Sequence, residues 1–299
     1  VPADKQRTQP AQVAHAVNRT RRLVDALQDP AVRSRIGRLS NLASSPRVYA
    51  ELSLAMTDPD VPVSRIADIV AQDTGVAAKV LQLVNSAFFA RSTPTGRIED
   101  AVVYLGLRTL RALVLTAEAF RLFQNRDRAE LGILEGLQTH GLQVARSAAA
   151  ILAGHPEGED AFTAGLMHDV GKLILSDQDP HAWADVLDEA GRSNRQVFEV
   201  ECDRFGTTHA EVGAALLDLW GLPLPVVEAV AYHHHPEDAG HSFGLVGAVH
   251  IANGLVHELA NPRERVALAQ IINEAYLEGA GLVDRLPRWE DLVARQLGV

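Results

Sequence analysis

The residues best suited to chemistry in this sequence are the adjacent His168 and Asp169, which lie in an otherwise apolar stretch. A buried aspartate is costly unless it is paired, hydrogen-bonded or bound to a metal ion. The pair offers an imidazole nitrogen and a carboxylate oxygen from one helical turn, which suits a divalent cation. One helix cannot complete such a site, so the remaining ligands must come from other helices. The candidates are His140, His209, His233 and His234.

Each of these histidines also has a structural interpretation, which is the stronger one for any histidine taken alone. The run His233-His234-His235, for example, could bond the terminal carbonyl groups of a helix. The combination of the His-Asp pair with the other histidines favours a metal site, either retained or ancestral. Five further histidines are expected in turns or on the surface: His15, His155, His181, His241 and His257.

Lys172 follows Asp169 by three residues and is one of only three lysines in the chain. It could contact a phosphate group as a point charge. It could equally interact with the C-terminal end of a helix. The sequence leaves both roles open.

The elements that must position these residues are helices, because the hydrophobic pattern has helical periodicity nearly throughout. Thr208 and Glu211 fit a capping box, which places His209 in the first turn of a helix. Gly221 followed by Pro223 ends that helix. The sequence therefore predicts an all-α protein.

His233 and His234 are expected at the C-terminal end of the helix that follows the one carrying His209. Pro225 begins this following helix and Pro236 ends it. His168 and Asp169 are expected inside one continuous helix. The apolar face of that helix is formed by Phe162, Leu166, Val170 and Leu173.

The first half of the chain is also predicted to be helical. Ser45 and Pro46 are expected as the N-cap and first residue of a helix that Asp58-Pro59 ends. A polar segment near residues 125–130 marks a sub-domain junction. Further helices are predicted at about 64–72, 76–88 and 98–123. The predicted division is a connector helix and linker at 1–37, an N-terminal helical bundle at 38–128 and a second helical bundle at 129–299.

A narrow apolar seam runs along the predicted N-terminal helix, through Val13, Val17, Val24 and Leu27. It is typical of a surface helix packed on its own domain, or of a connector helix or short coiled coil. The second interpretation would allow a homodimer through residues 10–29. The chain does not begin with Met, so a processed form or a fragment is expected.

Composition excludes several classes of protein. The chain has 299 residues, 47% of them hydrophobic, and a formal charge of −10, so neither disorder nor a general affinity for nucleic acid or anionic membranes is expected. Its single cysteine cannot form an internal disulfide. No apolar run is long enough to span a bilayer, and no signal peptide is recognisable. A cytoplasmic location is expected.

Residues 64–85 have the spacing of a helix-turn-helix, with Gly75 at the turn. The second helix carries one cation, Lys79, and is otherwise mostly apolar. A recognition helix needs donors that reach phosphates and base edges. Burial is therefore the favoured interpretation, and nucleic acid is not an expected partner.

The motifs together resemble the HDOD family, the HD-related output domains of bacterial signalling proteins, and more distantly the HD-GYP phosphodiesterases. The resemblance covers about residues 38–295. It rests on the ordered histidines and Asp169 and on these stretches: residues 77–89, 164–173, 209–214, 219–223, 232–234 and 249–253.

The resemblance implies an N-terminal helical bundle packed on a degenerate HD-like bundle. It also implies a regulatory role, unknown signalling partners and an upstream receiver domain. The ligands of a divalent ion (Fe, Mn, Zn or Mg) would be His140, His168, Asp169, His209, His233 and His234, and Lys172 would contact a phosphate group in an active enzyme.

The sequence departs from an active HD enzyme at Asn253, where a late metal-binding aspartate is expected. A neutral amide is a poorer ligand for a divalent ion, and no Gly-Tyr-Pro element follows His235. A non-catalytic output module, acting through protein interaction or a ligand-dependent change of shape, is therefore the preferred hypothesis. The alternatives are a metal-dependent phosphohydrolase acting on a nucleotide or cyclic dinucleotide, and a DNA-binding regulator using residues 64–85.

Overall fold

A computed structural model describes residues 22–37, 46–89, 93–123, 128–240, 242–260 and 271–299. Within these ranges the chain forms α-helices and short 3-10 turns and contains no β-strand. The all-α prediction is confirmed. None of the helices in these ranges combines the length and apolar character that a bilayer-spanning segment requires.

The first half is a bundle of short helices around α6, which is buried along most of its length. α6 contacts α2, α4 and α5, while α3 packs between α2 and α5. The helix bounds in this half are α1 Pro30–Gly37, α2 Arg47–Ala55, α3 Val63–Ala71, α4 Thr74–Val84, α5 Ile98–Leu105 and α6 Leu107–Arg121.

Two details of the first half differ from the predictions. The single helix expected over 98–123 is two helices, because Gly106 has a φ of 79°, a conformation that glycine adopts at little cost. Pro46 is the N-cap of α2 and not its first residue, and Ser45 lies outside the described residues.

The second half packs α8 against α7, α13 and α14, while α9 packs against α12. One hydrophobic core runs through both halves. α6 contacts α8, and the Thr116 hydroxyl lies 3.6 Å from the sulfur of Met167. The helix bounds are α7 Arg128–Ile151, α8 Gly158–Met167, α9 Val170–Gln178, α10 Pro180–Ser193, α11 Val197–Phe205, α12 His209–Leu219, α13 Leu224–Tyr232, α14 Leu245–Ala260, α15 Glu274–Gly279 and α16 Leu286–Leu297. The domain boundary near residue 128 stays a prediction.

The N-terminal segment packs on the second half of the molecule. α1 contacts α9 and α12. Arg35 Nη1 donates to Gln178 Oε1 at 3.3 Å, and the Arg35 guanidinium lies 4.7 Å from the centre of the Phe205 ring. In the preceding helical residues 22–27, Leu23 is buried whereas Val24 is 48% exposed, so Val24 does not pack on its own chain. The coiled-coil interpretation of the seam stays a prediction. The other seam positions lie partly outside the described residues: Val13 and Val17 are outside, and Leu27 is partly buried.

The helix-turn-helix resemblance corresponds to α3 and α4. Four residues of α4, namely Val76, Val80, Leu83 and Val84, are buried, and the helix packs on α6. These contacts are consistent with the predicted burial of this helix.

Candidate metal centre

Asp169 lies where two helices meet. α8 ends at Met167 and α9 begins at Val170, so the single continuous helix predicted through His168 and Asp169 is wrong. Asp169 has φ −99° and ψ 8°, close to a sparsely allowed region where many active-site residues lie. The apolar periodicity continues across the break, so the sequence pattern does not reveal it.

Gly171 lets α9 approach the helix that carries His209. A Cβ atom at Gly171 would overlap the backbone carbonyl oxygen of His209 and would lie 2.8 Å from the amide nitrogen of Gly213. Glycine has no Cβ, so it permits this approach. As a result, Asp169 Oδ1 lies 3.2 Å from His209 Nε2.

His209 is the first residue of α12 and is fully buried. The capping box of Thr208 and Glu211 is confirmed. Glu201 on α11, which no sequence motif indicated, accepts a hydrogen bond from the His209 Nδ1–H at 2.7 Å and from its backbone N–H at 2.8 Å. Burial acts to lower the pKa of His209, but the Glu201 carboxylate outweighs it and raises that pKa above its usual value.

His168 and His233 are held by backbone carbonyls. His168 Nδ1 donates to the Gly165 oxygen at 2.8 Å, and His233 Nδ1 donates to the Val230 oxygen at 2.7 Å. A carbonyl can only accept, so the Nε2 of each neutral ring carries a lone pair. These Nε2 atoms face Asp169, at 3.5 Å from Oδ2 for His168 and 3.9 Å from Oδ1 for His233.

Three buried atoms at this junction have no hydrogen-bond partner in the described part of the chain: His168 Nε2, His233 Nε2 and Asp169 Oδ1. All three are acceptors when the rings are neutral, so they cannot satisfy one another. Buried polar atoms without a partner are rare in folded proteins. A cation is the kind of group that satisfies several acceptors at once.

The spacing of the ligand atoms fits one cation. His209, His233 and His234 each place a ring nitrogen within 4.8 Å of the others, and the Nε2 atoms of His209 and His234 are 3.0 Å apart. Two ligands bound at about 2.1 Å from a common ion lie about 3.0–3.4 Å apart. With Asp169 Oδ1, these nitrogens form a set of three imidazoles and one carboxylate.

A second group, made of His140, His168 and Asp169, also has its ligand atoms within 4.8 Å of one another. Two of those atoms already have partners. His140 Nε2 is hydrogen-bonded to Asn253 Oδ1 at 2.9 Å, and Lys172 Nζ donates to Asp169 Oδ2 at 2.7 Å. The structure therefore gathers all six predicted ligands, together with Lys172, but leaves free acceptors mainly on one side of Asp169.

Similarity to known proteins shows to which family the chain belongs. A family model of the HDOD domain matches residues 42–236. The chain belongs to the HDOD family. An uncharacterised protein of Treponema pallidum (strain Nichols) is 29% identical over 222 residues, which cover 72% of this chain and 42% of that protein. The HDOD chain thus spans about two fifths of the length of that relative.

Solved structures have the same fold. A proposed phosphohydrolase of Shewanella amazonensis gives a TM-score of 0.62 at 25% identity, over 91% of this chain and 99% of that one. An HDOD domain protein of unknown function from Geobacter sulfurreducens gives a TM-score of 0.63 at 24% identity, over 89% and 97% of the two chains. The predicted HD-like helical architecture is confirmed.

We name Asp169 and the histidines around it the HDOD cluster: His140, His168, His209, His233 and His234. The charge states of these residues suit metal binding. Burial acts to raise the pKa of Asp169, but the charges of His168 and Lys172 outweigh it and hold that pKa well below its usual value. Burial lowers the pKa of His233 and of His234, two of the three imidazoles in the ligand set, well below its usual value. At neutral pH an ionised carboxylate therefore faces two neutral rings, and metal ligands must be deprotonated in this way.

A cleft of about 640 Å³ opens beside the cluster. Lys172, His234 and Asn253 form part of its lining. Phe198 of α11 stacks on the His234 ring, with centroids 4.3 Å apart. A cleft of this volume can hold a small organic ligand.

His257 was expected in a turn or on the surface, and that prediction is wrong. It is partly buried on α14, with its ring centroid 4.4 Å from that of His140. Burial lowers its pKa to about 3. It follows Asn253 by one helical turn, and this i,i+4 spacing was the available sequence signal.

Other histidines stand outside the cluster. His181 is exposed and His155 lies in a turn, as expected. His250, whose role was missed, is buried, donates to the His233 carbonyl at 2.8 Å and accepts the Asn273 N–H at 2.9 Å. It thus supports the chain segment after α13. Two predicted surface positions lie outside the described residues: His15 and His241.

Proposed function

We propose that this HDOD protein is a non-catalytic signalling output module that holds one divalent cation and acts through a change of shape or of partner surface. The observation that carries the proposal is the hydrogen bond between His140 Nε2 and Asn253 Oδ1, at 2.9 Å. In an HD phosphohydrolase an imidazole at this place would bind metal. Here an amide engages its nitrogen and adds no negative charge.

The charges around the cluster support one cation rather than two. Lys172 already neutralises one oxygen of Asp169, at 2.7 Å. Both oxygens of Glu201 accept hydrogen bonds from His209. A second divalent ion would gain little from either acid, and two dications close together repel each other strongly unless anionic ligands lie between them.

The number of protein ligands also supports a role without turnover. Catalytic zinc sites keep one coordination position open for water or substrate, whereas closed four-ligand sites are structural. Asp169 and three imidazoles are enough to fill a tetrahedral shell. Zn, Mn or Fe suits such a nitrogen-rich set better than Mg, which prefers oxygen ligands.

The proposed partners follow from the family resemblance. An upstream receiver domain, and a homodimer through residues 10–29, are both part of the proposal. α1 contacts α9 and α12, so a signal arriving through the N-terminal segment would reach the helices that carry Asp169 and His209. A nucleotide in the cleft beside Phe198 is the proposed small ligand.

A metal-dependent phosphohydrolase is the second candidate, and the cleft of about 640 Å³ beside the cluster favours it. The relative from Shewanella amazonensis, which is named as a proposed phosphohydrolase, is consistent with it. In this alternative the cation would polarise a phosphoryl group and activate a water molecule. Lys172 would leave Asp169 to contact a phosphate oxygen.

Metal analysis of the purified protein, combined with a hydrolysis screen of nucleotides and cyclic dinucleotides, separates the two candidates. We expect about one equivalent of metal per chain and no turnover with excess Fe, Mn, Zn or Mg. Turnover that is lost in Asp169→Ala but kept in the exposed-site control Asp188→Ala would establish the phosphohydrolase instead. Absence of metal that cannot be reversed by loading would remove the cation from both candidates.

A further inference from the structure

We infer that Glu201 is the positioning residue that decides which nitrogen of His209 is offered to the cation. The inference rests on the proposed cation site and adds to it a residue from outside the ligand set. Glu201 is 0% exposed. A carboxylate buried to this degree is costly unless charge-assisted hydrogen bonds satisfy it.

The partners of Glu201 in the described part of the chain belong to a single residue. Its Oε2 lies 2.8 Å from the His209 backbone nitrogen and 2.7 Å from His209 Nδ1, while its Oε1 lies 2.9 Å from the same Nδ1. The backbone and the ring of His209 are thus held by one carboxylate. The position and the orientation of the imidazole are both fixed.

Both carboxylate oxygens of Glu201 face Nδ1 of His209 and act as acceptors, so Nδ1 carries the hydrogen. The Nε2 atom of the neutral ring is then left with a lone pair. It lies 3.2 Å from Asp169 Oδ1 and 3.0 Å from His234 Nε2. Nε2 is therefore the nitrogen that is presented to a cation at this junction.

The helix position of His209 explains why an acid is needed for this purpose. His168 and His233 use the carbonyl three residues earlier in the chain, at Gly165 and Val230. His209 is the first residue of α12, so no helical carbonyl lies one turn before it. Glu201, from the neighbouring α11, supplies the acceptor that the helix cannot.

The test compares Glu201→Gln with a matched control, Glu211→Gln. In Glu201→Gln the amide oxygen at the Oε2 place keeps the backbone N–H of His209, and the NH2 group at the Oε1 place, 2.9 Å from Nδ1, can only donate. This arrangement favours the tautomer with the proton on Nε2. Glu211 lies on the same helix end and accepts from Thr207 and Thr208, so its change affects capping without touching His209.

Two measurements are made on the full chain. Nitrogen-15 NMR of the imidazoles in metal-free protein reports which His209 nitrogen carries the proton, and a zinc titration against a competing chelator gives affinity. We expect the proton on Nδ1 in wild type and a shift towards Nε2 in Glu201→Gln. Zinc affinity should fall about 10- to 100-fold in Glu201→Gln and stay within about twofold in Glu211→Gln.

Three results would overturn the inference: wild-type protein with the proton on Nε2 alone, unchanged zinc affinity in Glu201→Gln, or an equal loss in Glu211→Gln. If wild type binds no zinc, the proposed cation site fails, and the tautomer measurement still decides whether Glu201 fixes the proton on Nδ1. Should Glu201→Gln not fold, Glu201→Ala with and without added formate replaces it, and recovery of the wild-type tautomer with formate supports the role.

Discussion

Both halves of the molecule bury an acid, and the surroundings of the two acids differ. Glu118 on α6 is 5% exposed, and its oxygens accept the backbone N–H groups of Val48 at 3.1 Å and Tyr49 at 2.8 Å. Asp169 is 6% exposed, and its Oδ1 has no hydrogen-bond partner in the described structure. Similar burial therefore accompanies a carboxylate with both oxygens bonded in one half and a carboxylate with one unbonded oxygen in the other.

The difference separates a structural acid from a functional candidate. The N-cap residue of α2, Pro46, makes no capping bond with its side chain, so Glu118 supplies from another helix the acceptors that the start of α2 lacks. Asp169 faces imidazole lone pairs that need a positive charge between them. Burial of an acid does not by itself indicate function, whereas convergence of unsatisfied acceptors does.

The largest predicted effect is a loss of stability when metal-free protein is acidified. Burial lowers the pKa of His140 and His168 to about 4 and of His257 to about 3, whereas in the unfolded chain each is near 6.5. Between pH 7 and 5 the unfolded chain therefore takes up protons that the folded chain does not. The free energy of unfolding should fall by about 2 kcal/mol for each of these histidines, as measured by urea denaturation in EDTA.

Glu118, the buried acid of the first half, is predicted to change the free energy of unfolding in the opposite direction when the pH falls. Burial raises the pKa of Glu118 despite its two backbone hydrogen bonds. The folded chain then binds this proton more readily than the unfolded chain, so the contribution of Glu118 to the free energy of unfolding increases as the pH falls.

His257→Gln should reduce the loss of stability between pH 7 and 5, and the exposed control His181→Gln should not. A stability that is level between pH 7 and 5 contradicts the prediction.

The next prediction is that stabilisation by zinc depends on Asp169 and not on Glu118. At a free zinc concentration of 100 times the Kd, a cation stabilises the folded state by about 2.7 kcal/mol. Asp169→Asn removes the anionic ligand, so this stabilisation should disappear. Glu118→Gln should keep it, because that side chain lies in the other half. Urea denaturation with and without zinc measures both, and retention in Asp169→Asn would exclude Asp169 as a ligand.

The smallest effect concerns the structural acid. Glu118→Ala leaves the N–H groups of Val48 and Tyr49 without their acceptor, which should cost about 2 kcal/mol of unfolding free energy. Asp68→Ala, at an exposed position of α3, should change stability by less than about 0.5 kcal/mol. Chemical denaturation at pH 7 gives both values. Equal effects of the two substitutions would show that Glu118 does not cap α2.

Local signals account for the parts of the fold that the sequence predicted well. The Thr208–Glu211 capping box fixes the start of α12, and Gly221 fixes its end with a φ of 74°. Helix ends of this kind depend on a few neighbouring residues, so they can be read from the chain. The order of the histidines and Asp169 carried the family resemblance in the same way.

Tertiary contacts account for what the sequence did not predict. The break at Asp169 depends on the approach of α9 to α12, which no local pattern encodes. Glu201 pairs with His209 across a turn, and nothing in the sequence distinguishes it from a solvent-exposed acid. The sequence did not predict the burial of His257 for the same reason, because that burial depends on the packing of α14 against α7.

The short helix α9 has one further consequence. It begins directly after Asp169 and ends at Gln178, whose side chain is bonded to Arg35 of α1. Nine helical residues form a rod about 13 Å long that bends little over such a length. A tilt of α9 imposed at the Arg35 end would therefore displace the Asp169 carboxylate at the other end. By the same coupling, a cation bound to Asp169 would restrict the movement of α1.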